Sequence, residues 1–193
     1  TFEDENGGTW QIDLTPKYDG AIAVRRTVAH LHPFAIAVLD EAELEVEEDI
    51  SLRWHTISPS IPEATGCFTV EGKEVSLSAR VAELDGLTLT LASARHVYRE
   101  PYNRHRLGDV FEQHYEPYVG ATGHARACRI LSLFAICPPG KPTSHWLDTK
   151  TGWKIGTPEG DATATPTNTT LALHTPRLDL EIDLLDLPAG RSG

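Results

Sequence analysis

From residue 75 onward the chain alternates with period two. Val75, Leu77, Ala79 and Val81 are separated by Ser76, Ser78 and Arg80, and Leu87, Leu89 and Leu91 by Thr88 and Thr90. Leu178, Leu180, Ile182 and Leu184 alternate with Asp179, Glu181 and Asp183. A strand turns successive side chains to opposite faces, so each set predicts a half-buried strand with one apolar and one polar face. Further strands are predicted over 9–15, 21–32, 34–43, 50–57, 67–71, 125–137, 145–148, 152–156 and 169–174. Turn formers separate them, among them Asp19-Gly20, Gly72, Asp85-Gly86, Pro138-Pro139-Gly140 and Thr151-Gly152, and Pro33 breaks one apolar run from the next. The acidic stretch from Glu41 to Glu48 suits a strand end and an exposed turn. No stretch holds a helical period. The expectation is an all-β fold, an antiparallel β-sandwich of the supersandwich kind with few or no helices, as a single domain over 1–193. Two stretches read as loops: 99–124, long and rich in Tyr, His and Arg, and 157–168 (TPEGDATATPTN), of low complexity.

Composition narrows the function. The 193 residues carry a formal net charge of -11, which would repel a phosphate backbone and argues against nucleic acid as a partner. An anionic ligand has to be met by a local basic patch. The three cysteines, Cys67, Cys128 and Cys137, are odd in number and stand at no metal-like spacing, so they read as small buried apolar residues. No apolar run is long enough to span a membrane as a helix. The chain opens TFEDENGG and contains no Met, and so reads as a piece of something longer.

One motif invites a metal. His30 and His32 share a strand face, and Asp40 follows on the next strand, so that two imidazoles and a carboxylate could hold zinc. Against this, Arg26 lies on the same strand as the two imidazoles. Asp40 closes the apolar run Phe34–Leu39, where a carboxylate ordinarily accepts bonds from backbone or arginine. Arg25 or Arg26 is expected to pair with Asp40 or Glu41. His55, beside Trp54 on a core strand, reads as an interior imidazole. Trp146 and Trp153 could form a sugar-stacking platform or pack across a hairpin.

The order Asp13-Leu14-Thr15 to Tyr18, Arg25-Arg26-x-Val28, Pro33, Ile36-Ala37-Val38-Leu39-Asp40-Glu41 and Trp54-His55-Thr56 resembles the C-terminal β-sandwich domain of heparinase II/III-like polysaccharide lyases. The resemblance covers residues 9 to 60 and continues weakly to Pro139. It implies β-elimination on a uronate-containing polysaccharide, a glycosaminoglycan or alginate, by a secreted or periplasmic bacterial protein. It also implies an N-terminal α/α toroid as partner and a structural divalent metal held by a His-Asn-His segment upstream. That segment does not occur before residue 9, so His30 and His32 inherit no metal role and this chain is expected to need no cofactor of its own. Without the toroid, the chain is expected to be inactive alone. A homo-oligomer is a further expectation.

β-Elimination needs a neutralised carboxylate, a base for the C5 proton and an acid for the leaving oxygen. Tyr, His and Arg are suitable types, and in this acidic chain they concentrate in one segment, 95–124. The substrate-binding candidates are Arg99, Tyr102, Arg104, His105, Arg106, His114 and Tyr115. The same loop could instead pair with the chain's own Glu100, Asp109 and Glu112. Three functions stay open: a lyase domain, a module that binds acidic polysaccharide, and a structural or oligomerising β-sandwich.

Overall fold

A computed structural model describes residues 2–97, 115–137 and 144–187. The described residues contain no α-helix, only a single 3-10 turn at Thr15–Lys17. The thirteen strands are β1 (Phe2–Asp4), β2 (Gly7–Asp13), β3 (Ala21–Leu31), β4 (Ala35–His55), β5 (Cys67–Glu71), β6 (Ser76–Glu83), β7 (Thr90–Val97), β8 (Tyr115–Cys137), β9 (Leu147–Asp148), β10 (Trp153–Thr157), β11 (Gly160–Pro166), β12 (Thr170–Thr175) and β13 (Leu178–Asp183). They form two antiparallel sheets. The larger runs β1-β2-β3-β4-β8-β6-β5 with β7 added to β8, and the smaller runs β13-β12-β11-β10-β9. The fold is all-β, as the alternation predicts.

The smaller sheet covers one face of the larger. Ala29, Leu31, Leu39, Leu131 and Leu133 of the large sheet meet Ile155, Ala164, Leu171, Leu173 and Ile182 of the small one in a single apolar core. Burial of such side chains contributes roughly 1.5–3 kcal/mol each, and the core supplies the main force holding the sheets together.

The opposite face has its own cover, and the large sheet provides it. Trp54 donates its indole N–H to Ser132 Oγ at 3.1 Å and meets Phe134 edge-on, with ring centroids 4.8 Å apart. Yet Trp54 is paired in register with Val119. Residues 119 to 132 would span about 43 Å of straight strand. The β4–β8 ribbon therefore bends back on itself. The cause is a bulge: between the pairs Glu43–Ala127 and Glu48–Ala125, β4 has four residues (44–47) where β8 has only Arg126. Extra residues on one strand force a bend and added twist. The folded-over part, with β7, closes a second core of Leu52, Val119 and Ala121 against Val38, Ile130 and Phe134. The molecule thus has three layers.

Several boundaries differ from the sequence reading. Predicted strands 34–43 and 50–57 are one strand, Ala35–His55, and the acidic stretch between them is the bulge rather than a turn. Residues 115–124, expected as part of a loop, are the first half of β8, because Pro117, Val119 and Ala121 alternate into the second core. The expected loop 157–168 is largely strand β11, where Ala162 and Ala164 are fully buried. Alanine carries so little apolar signal that the alternation passed for low complexity. The strand expected at 87–92 starts later, at Thr90. Residues 99–114 contain the rest of the expected loop and lie outside the described residues.

Candidate functional site

On the folded-over layer, alternation sorts side chains into two sets. Leu52, Trp54, Val119 and Ala121 turn inward to the second core. Their neighbours in sequence turn outward in cross-strand rows: Ser51–Thr122–Thr90, Arg53–Gly120–Ala92 and His55–Tyr118–Ala94, followed by Glu116–His96. His55 is therefore a surface residue, its side chain 43% exposed, and not the interior imidazole that its neighbour Trp54 suggests. Its Nδ1 lies 3.0 Å from Glu116 Oε2. The His96 ring is 5.8 Å away and the Tyr118 ring 5.5 Å.

Arg53 adds a cation to this face, whereas Arg95 and Tyr115 alternate to the reverse side of the layer, the side of Pro117 and Val119. The guanidinium of Arg53 stands 5.3 Å from the Tyr118 ring centroid, and that of Arg95 stands 4.5 Å from Tyr115. Both distances fall within the range of a cation–π contact. The Tyr118 ring leans along its own strand, over Gly120. A Cβ at that position would lie 3.2 Å from Tyr118 Cε2. The small residues Gly120, Ala92 and Ala94 thus leave a low floor, bordered by rings and Arg53. Such a face can neutralise a carboxylate or sulfate and stack against a sugar ring. It also contains imidazole, phenol and carboxylate, groups able to move protons.

Of the residues picked from sequence, Tyr115 is described, and it lies on the reverse side of this layer, where Arg95 stands over its ring. Arg99, Tyr102, Arg104, His105, Arg106 and His114 lie outside the described residues. Arg53 was missed. The signal for it was present, since inward Leu52 and Trp54 leave Arg53 and His55 outward. His124, in the middle of β8 beside the bulge, pairs with Asp49 of β4 at 3.0 Å.

The structure does not bring His30, His32 and Asp40 together. His30 is paired in register with Ile36, and Asp40 with Arg26. Four residues of strand separate Ile36 from Asp40, or about 13 Å. Both Asp40 oxygens accept from Arg26, at 2.6 and 3.1 Å. Burial still holds the Asp40 carboxyl above its ordinary pKa, against the hydrogen bonds and charge of Arg26. The His30 and His32 rings are tilted by 36° to each other, with centroids 4.0 Å apart. Burial first, then the neighbouring His32, lowers the His30 pKa. Among the described residues no group of three or more His, Cys, Asp or Glu is placed to hold a metal.

Trp146 is 3% exposed and belongs to the core, so it forms no platform with Trp153. Cys67, Cys128 and Cys137 are free and buried. Burial, with the nearby charges of Glu83, Asp40 and Asp85, pushes the Cys128 thiol up to about 12.

No family model matches this chain, and no curated protein does. Solved structures do. Heparan sulfate lyase HepC from Pedobacter heparinus matches with a TM-score of 0.59 over 95% of this chain, at 12% identity. The fold is one that heparan sulfate lyases carry. A mutant of the same lyase matches over all of this chain with a TM-score of 0.58 at 13% identity, and a heparinase III matches with 0.55 at 13%. The chain spans only 27–28% of the length of these structures, so it corresponds to a part of each.

Proposed function

We propose that the chain is the β-sheet domain of a heparinase II/III-like polysaccharide lyase that acts on a uronate-containing polysaccharide by β-elimination. The observation that carries this reading is the match of nearly the whole chain to about a quarter of each heparan sulfate lyase. The outer face supports it, because Arg53, His55, His96 and Tyr118 are suited to an acidic sugar chain. In this reading the domain binds and positions substrate, and a toroid in the longer protein completes the reaction centre.

The test is retention on a heparin column together with product release. The isolated chain is expected to be retained and to release no unsaturated uronate product. Arg53→Ala with His55→Ala is expected to abolish retention while the far-UV spectrum stays unchanged. Retention that survives the double variant would remove the outer face from the proposal. Turnover by the isolated chain would contradict the need for a second domain. A structural or oligomerising role is the competing reading, favoured by Ile57 and Ile61, which are 81% and 83% exposed. It predicts no retention and a concentration-dependent mass in solution.

A further inference from the structure

A cleft of about 540 Å³ opens between β6 and Trp153 of the small sheet. We propose that it binds a neutral saccharide unit, one with hydroxyls but no carboxylate or sulfate. The proposal does not rest on the lyase reading.

The cleft lies where β6 outruns its neighbour. β5 pairs β6 only over Ser76–Arg80, whereas β6 continues to Glu83. The 62–66 segment, the 87–91 segment and Trp153 of the small sheet form the remaining walls. Gly66 keeps the first of these close to the strand. Its φ is +83°, and a Cβ there would sit 2.4 Å from the Val81 carbonyl oxygen. The apolar side is Trp153 with half-buried Leu87, Leu89 and Leu91. An aromatic ring beside aliphatic walls suits the C–H face of a pyranose.

The polar side is incomplete as it stands. Arg80 donates through Nη2 to Asp148 at 2.8 Å and through Nη1 to Cys67 Sγ at 3.5 Å. Its buried Nε meets no acceptor. Glu83 Oε2 accepts from the backbone N–H groups of Asp85 and Leu87, both at 2.8 Å, while its buried Oε1 meets no donor. A buried polar atom without a partner costs about 1–3 kcal/mol. One donor and one acceptor in the walls of one cleft call for a ligand that offers both, as a pair of sugar hydroxyls does.

Charge selects among sugars. Asp148 already compensates Arg80, and Glu63 and Glu83 remain in the lining. This cleft therefore disfavours a polyanion, whereas the outer face favours one.

The experiment titrates the chain separately with cellotetraose, mannotetraose, chitotetraose and tetragalacturonate. The readout is the indole N–H signal of Trp153 in a ¹H–¹⁵N spectrum. At least one neutral tetrasaccharide is expected to shift that signal saturably, and tetragalacturonate is not. Trp153→Ala is expected to weaken binding about tenfold, by tryptophan fluorescence or calorimetry. Glu83→Gln guards against a folding artefact, because its amide keeps an acceptor for the two backbone N–H groups and replaces Oε1 with a donor. It is expected to weaken binding about fivefold in a fully folded protein. No shift with any neutral sugar, equal binding of tetragalacturonate at Trp153, or unaltered affinity in Glu83→Gln would each overturn the proposal.

Discussion

Glu41 is the most constrained residue among those described. Its side chain is completely buried. It accepts from Arg25 Nε at 2.7 Å and from the backbone N–H of Leu185 at 2.6 Å, and Arg129 Nε lies 3.6 Å away. Arg25 also reaches the Asp183 carbonyl and Arg129 the Leu185 carbonyl, with a second bond from Arg129 to Asp85 at 2.6 Å. The cluster ties the end of β13 to the large sheet. Removing one member of a buried ion pair leaves the other uncompensated, which costs about 3–5 kcal/mol. Glu41→Ala should lose that much in urea unfolding, and a loss below about 1 kcal/mol would mean that the two arginines find other partners. Glu83 makes the opposite case. Burial raises its pKa in the folded chain, so its contribution is full below the ordinary glutamate value and is lost as pH rises through the raised value. Glu83→Gln should therefore raise the melting temperature at neutral pH, with the gain vanishing near about pH 4. Sequence anticipated an arginine paired with Asp40 or Glu41, because charges at the end of an apolar run must be matched. In fact both Arg25 and Arg26 are paired, one with each carboxylate. It could not anticipate Leu185, which arrives from the far end of the chain.

At the scale of elements, alternation made most strands legible, since one buried face leaves an apolar residue at every second position. It failed where that signal is weak or redirected. Ala162 and Ala164 bury themselves without announcing it, and Glu43 to Glu48 has no buried face because the strand bulges there. That bulge sets the candidate site. Without the bend, Trp54 could not reach Ser132, and the row carrying Arg53 and His55 would have no core beneath it. β4 has four residues between the flanking pairs and β8 has one, so deleting three, Leu44 to Val46, should restore plain pairing and straighten the ribbon. Trp54 would then leave Phe134. Acrylamide quenching of tryptophan should rise and the near-UV signal fall, while the small sheet keeps its hydrogen-exchange protection. Unchanged quenching would place the cause of the bend elsewhere. A gentler variant, Trp54→Ala, should cost about 3 kcal/mol.

For the whole molecule, the layers separate charge. The outermost strand of the small sheet exposes Asp179, Glu181 and Asp183 at one extreme of the stack. Arg53, with His55 and His96, stands on the folded-over layer at the other. The net charge of -11 opposes any polyanion at long range, while the outer face attracts one at contact. Salt screens these two effects differently. The Debye length is about 10 Å at 0.1 M and about 30 Å at 0.01 M. At the lower salt a heparin chain on the outer face feels the carboxylates of the whole molecule. At the higher salt it feels mainly the nearby Arg53 and the imidazoles. Above about 0.5 M the contacts themselves weaken. Affinity for heparin should therefore pass through a maximum near about 0.1 M rather than rise steadily as salt is withdrawn. Replacing Asp179, Glu181 and Asp183 by Asn, Gln and Asn should raise affinity at 0.01 M (about twofold or more) and hardly change it at 0.1 M. These residues lie across the stack from the outer face, so a gain at both salts would mean that heparin touches the small sheet. A monotonic rise in the unaltered chain would mean that local contacts outweigh the net charge at every range.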